Sequence, residues 1–211
     1  MTLKRYVQAQ AIVVIGLGYI AGLIAYPLLP GPFLEQTPSA RMLVAFTLPT
    51  TALVIYTVFR SLWKHDPIRT GNGTFELTYH TIVLRVLMFV VALHVLVMIG
   101  LAGALNAAGF RLSAARAVVV LLGAVLVAIG NLLPRTRPNI AVGVRTTRTL
   151  TNAQLWQQVH RAGGYAMVGL GIVIVLTGLV LTHDAVGPVV STATIVAAMT
   201  LLLTYRKHVR A

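Results

Sequence analysis

Six stretches of this chain carry no charged residue: 6–34, 42–59, 86–110, 117–134, 162–182 and 185–205. Each has about the 17–25 residues, or more, that an α-helix needs to cross a bilayer's hydrocarbon layer. Within lipid every backbone donor and acceptor must be satisfied by the chain itself, which leaves helices or closed barrels. The two-residue alternation of a barrel strand is absent, so the chain is predicted to be all-α. It reads as a single polytopic membrane domain over 1–211, with transmembrane helices at about 8–29, 42–62, 82–104, 114–133, 163–182 and 186–205 and a cytoplasmic loop at 134–162. Lys4 and Arg5 before the first apolar run imitate a secretory signal, but that run reaches Tyr26-Pro27 without small residues at cleavage spacing. It is read as the first span.

A net charge of +13 would suggest nucleic acid in a soluble protein. Here 57% of residues are hydrophobic and 10% charged, and the basicity has a topological source. If the amino terminus is cytoplasmic, 14 Lys and Arg residues fall on that side, and only Arg41, Arg111 and Arg116 on the other. The positive-inside rule then predicts that both termini and the 134–162 loop are cytoplasmic, with no direct nucleic-acid binding. There are no cysteines, so thiolate metal sites are excluded.

The four acids, Glu35, Asp66, Glu76 and Asp184, all lie in predicted loops or helix ends. Ion-coupled transporters commonly hold a carboxylate within the membrane, so the pattern counts against one. His94 is the one titratable group deep in a span. It suits a hydrogen bond to a neighbouring helix, or with Arg85 a polar site inside the membrane. His80 and His94 are 14 residues apart and share a helix face, which is haem-like spacing, but a two-haem arrangement needs a second such pair and none fits. No cofactor, metal or catalytic motif is predicted. Arg85 itself can snorkel to phosphate level.

The segment NLLPRTRPNIAVGVRTTRTLTNAQLWQQVHRAGG, Asn131 to Gly164, is the polar exception between two apolar runs. Gly130-Asn131, Pro134 and Pro138 break the fourth helix as it emerges. Asn139 to Gly143 reads as a further turn. Thr149, Thr151 or Asn152 can cap a new helix, with Gln154 at capping-box distance from Thr151. That helix is expected to be short and interfacial, with Trp156 at headgroup depth, His160 four residues away in reach of the indole, and Gly163-Gly164 admitting a sharp bend into the fifth span. A lipid anchor through Arg135, Arg137, Arg145 and Arg148 would account for much of this composition. It does not account for the specific turn chemistry.

The pattern Asn131, Pro134, Arg137-Pro138-Asn139, Gly143, Arg145-Thr146, Thr149-Leu150, Asn152, Trp156, His160-Arg161 and Gly163 closely resembles the signature loop of the SdpI family of bacterial membrane proteins. The resemblance covers about 34 residues and the flanking spans, including the His94 helix with its Gly100. It implies a six-span protein of the bacterial plasma membrane. The best-known type confers immunity to a secreted, membrane-active killing peptide and holds a transcriptional repressor at the membrane. Members with an amino-terminal module carry a histidine in the first external loop. Here Leu29-Pro30 is present, but GPFLEQTPSA has no histidine, and if that residue handles toxin this chain is a paralogue with another ligand.

The resemblance thus implies a non-enzymatic immunity protein, with membrane lipids, a toxin peptide and a cytoplasmic regulator as partners. Arg145, Trp156, His160 and Arg161 are the expected working residues, and Asn139 and Gly143 shape the turn. Two alternatives stand: a small-molecule or lipid facilitator with a polar cavity around His94 and Asn131, and a membrane sensor that sequesters a repressor.

Overall fold

The computed structural model describes residues 3–29, 38–68, 73–101, 114–180 and 183–210. Among these the chain is all-helical. The long helices are α1 (Leu3–Ala25), α2 (Pro38–His65), α3 (Gly73–Leu101), α4 (Ala114–Gly130), α6 (Ala153–Val180) and α7 (His183–Arg210), with a short α5 (Thr147–Thr151) before α6. Six helices are long and apolar enough to cross a membrane. The first external loop, Arg111 and the turn formers at 69–72 fall outside the described residues.

Two boundaries correct the sequence reading. α6 is continuous from Ala153, so the expected interfacial helix and the fifth span are one helix, and Gly163-Gly164 introduces no break. At 1.5 Å per residue its 28 residues extend about 42 Å, more than the roughly 30 Å hydrocarbon layer. His183-Asp184, which fall between the predicted spans 163–182 and 186–205, form the first turn of α7.

The helices form two groups. α1, α2 and α3 pack on one another; α4 and α7 both pack on α6; α3 against α4 joins the groups. In the first group Pro49 lies within α2 and cannot donate to the carbonyl of Ala45. Gly22 of α1 lies against that carbonyl, where a Cβ would collide with it. In the second group, a Cβ on Gly123 would stand 2.6 Å from the Gly171 carbonyl oxygen and one on Gly171 would stand 2.6 Å from the Gly123 oxygen. Gly130 and Gly164 repeat the arrangement at 2.9 and 2.7 Å. Helices in lipid gain little from apolar transfer, so this backbone contact lets α4 and α6 approach closely.

At the end of α2 an aromatic cluster fixes the ground on which the polar loop rests. Trp63 meets Tyr79 at 4.7 Å and Phe75 at 5.4 Å between ring centroids. The Trp63 indole donates to Glu76 Oε1 at 3.1 Å, and the Tyr79 hydroxyl donates to the Phe59 carbonyl at 2.8 Å. Asp66 follows α2 directly and is thereby held beside the 131–152 segment.

Candidate functional site

The chain leaves α4 through a 3-10 turn at Leu133–Arg135 with Pro134 as its second residue. Pro134 packs against Gly164, with its Cδ 2.9 Å from where a Cβ there would sit. The Thr136 hydroxyl donates to the Leu133 carbonyl at 2.7 Å and accepts the Trp156 indole N–H at 3.2 Å. Thr136 and Trp156 are both buried. The indole is therefore covered by the loop. A buried indole N–H needs an acceptor, and the loop supplies it.

Asn139 is fully buried and ties the next turn by itself. Its Oδ1 accepts from the Ala141 and Val142 amides at 2.9 and 2.7 Å, while its Nδ2 donates to the Arg137 and Val142 carbonyls at 2.7 and 3.2 Å. This uses the full capacity of a side-chain amide. The turn is anchored from outside by Asp66, whose Oδ2 accepts the Ile140 amide at 3.1 Å and whose Oδ1 accepts the Ile68 amide at 2.9 Å. From within the loop, the Arg145 guanidinium donates to the Ile140 carbonyl.

Gly143 has φ +110°, a conformation that side chains disfavour, and a Cβ there would run into the His160 imidazole. His160 is fully buried and stacked on Trp156, with centroids 3.9 Å apart and planes 15° off parallel. Its Nδ1 lies 2.8 Å from the Trp156 carbonyl, and a carbonyl only accepts, so Nδ1 carries the proton. Nε2 is then a lone-pair acceptor for the Val144 amide at 2.9 Å. Both ring nitrogens are satisfied in the neutral Nδ1–H tautomer.

Beyond Val144, Thr146 and Thr149 cap α5 reciprocally. The Thr149 amide donates to Thr146 Oγ1 at 3.2 Å, and the Thr146 amide to Thr149 Oγ1 at 2.9 Å. Tyr205 of α7 donates its hydroxyl to Thr146 Oγ1 at 3.2 Å. Of the candidate caps, Asn152 serves α6, its Oδ1 accepting the Leu155 amide at 2.9 Å.

The structure thus brings Asn139, Gly143, Thr146, Trp156 and His160 into one scaffold, braced by Arg145 and framed by Pro134 and the Arg137-Pro138 backbone. The exposed side is cationic: Arg135, Arg145, Arg148 and Arg161 all reach solvent. Arg161 donates to the Tyr165 hydroxyl at 3.3 Å and lies 5.9 Å over its ring. Asn131 is exposed at the end of α4.

His94 and Arg85 do not form the expected shared site. They are nine residues apart, on opposite faces of α3. Arg85 is exposed, while His94 is fully buried against α1. The His94 nitrogens have no partner in hydrogen-bond geometry, and the Gly18 backbone is the polar group facing the ring. Sequence reasoning did not single out Asp66, Thr136 or Tyr205 for the site. Asp66 carried the available signal, as an acid beside a turn in a chain with four.

Residues 135–205, about a third of the chain, match the SdpI/YfhL protein family. No curated protein and no solved structure matches the chain.

Proposed function

We propose that this multi-pass membrane chain, whose residues 135–205 match the SdpI/YfhL protein family, is a non-enzymatic immunity protein of the bacterial plasma membrane, protecting against a membrane-active toxin peptide. The 134–162 loop is its cytoplasmic working surface and both termini share that side. One observation carries the proposal: the hydrogen-bonding groups of Asn139, His160 and Trp156 are all taken up within the loop, while four arginines face outward. The buried groups are committed to shape, and what the surface offers is fixed cationic donors. Such a surface recognises and does not react.

The planar guanidinium of Arg145 offers a fork of donors, one of them engaged on the loop backbone, and an ammonium cannot copy that geometry. Arg135 lies on the flanking turn, where the structure records no directional partner. Expression in a toxin-sensitive host challenged with peptides from related strains is the test. Wild type and Arg135→Lys should protect; Arg145→Lys at equal protein level should not. Equal protection by both variants would reduce the loop to a lipid anchor.

A second reading, recruitment of a soluble regulator, is favoured by the side of α6 that exposes Gln154, Gln157 and Arg161 beside the loop. Co-purification of a regulator that is lost in Arg161→Ala while protection persists would support it.

A further inference from the structure

A cavity of about 240 Å³ lies directly beneath the loop tip, walled by Phe59 of α2, Ile82 and Val86 of α3, Ile129 of α4, and Ala141 and Val142 of the loop. Its walls are apolar. The loop forms one of them, held by the Asp66, Asn139 and His160 bonds already described, so the space is built and does not result from slack packing. Ile129 is one residue from the end of α4, so the cavity lies at the loop end of the helices.

Arg85 supplies the second observation. It is exposed on α3, within a helix apolar enough to span the membrane, and no acid or hydrogen-bond acceptor among the described residues pairs with it. A cation at this depth requires an anionic partner or access to water. Arg85 and the cavity-lining Ile82 are i, i+3 neighbours, which lie side by side on a helix surface. The charge therefore stands beside the apolar space.

We infer that this cavity and Arg85 together form a site for one anionic phospholipid, an acyl chain entering beneath the loop tip and the phosphate resting on Arg85. An apolar cavity of about 150 Å³ already accepts a benzene-sized guest, so 240 Å³ suffices for a segment of acyl chain. The pairing of apolar space with an adjacent unpaired cation fits an amphipathic anion better than a neutral apolar solute. The lipid would stiffen the loop from below, and the inference stands independently of the immunity proposal.

Purified full-length protein titrated with phosphatidylglycerol or phosphatidylcholine, read by native mass spectrometry, tests this. Wild type should retain one phosphatidylglycerol with a preference on the order of fivefold over phosphatidylcholine, the value of one arginine near an anionic headgroup. Arg85→Gln should erase the preference, and Ala141→Phe, which fills the cavity, should abolish retention of either lipid. Leu43→Phe, on an exposed position of α2 away from the cavity, should behave as wild type. Where Ala141→Phe does not purify as a single species, Val86→Phe fills the same space from α3. Undiminished retention in a filled-cavity variant would overturn the inference, as would a wild type with no headgroup preference.

Discussion

His160→Ala is the most informative single change, because one ring both accepts the Val144 amide and stacks on Trp156. Removing it leaves the Val144 amide without its acceptor, at about 1–3 kcal/mol for an unpaired buried donor. It also forfeits the stack on Trp156, about 0.5–1.5 kcal/mol. The two losses together are about 2–4 kcal/mol, a large share of a membrane domain's stability but concentrated in the loop. The helices should therefore stay assembled while the 140–148 segment opens. Hydrogen exchange in detergent should show that segment losing protection by about a hundredfold, since 1.4 kcal/mol is a factor of ten. His160→Gln, whose amide oxygen can approach the Nε2 position, should recover part of the protection but not the stack. If His160→Ala exchanges within a factor of about two of wild type at Val144, His160 does not hold this turn and the scaffold reasoning fails.

Gly171→Ala should force α4 and α6 apart by several tenths of an ångström and cost about 1–3 kcal/mol in reversible unfolding. Gly169→Ala, where nothing lies within 4 Å, should be neutral or slightly stabilising, and equal effects would refute the close-contact argument. Asp66→Asn presents an amide donor or a single acceptor where two N–H groups now bind a carboxylate, so limited proteolysis should nick the 131–152 segment faster than in wild type. Reporter fusions after Arg145 and at the carboxy terminus should both read cytoplasmic. An external signal at Arg145 would reverse the topology proposed from the 14-to-3 charge division.

The membrane class and the six helices were legible because length and hydropathy decide them almost alone. The turn at Asn139–Gly143 and the Trp156–His160 neighbour relation were legible because both are local in sequence. The burial of Trp156 was not legible, because its acceptor, the Thr136 hydroxyl, lies 20 residues away. Asp66 and Tyr205 escaped for the same reason: their partners lie 74 and 59 residues away, beyond any periodicity. Gly163-Gly164 read as a bend, yet Gly164 serves an approach between helices, which becomes visible only when Gly130 is set against it.

The two glycine contacts between α4 and α6 are spaced seven residues apart on each helix, 123 to 130 and 164 to 171. They run in opposite senses, so each carbonyl finds the notch left by the other helix. Sliding one helix along the other would carry each glycine notch off its facing carbonyl. Piston motion is thus blocked at two points, as by paired teeth. The α4–α6 pair is thereby held in register at both ends of its contact, with the polar loop seated on one end of a single unit.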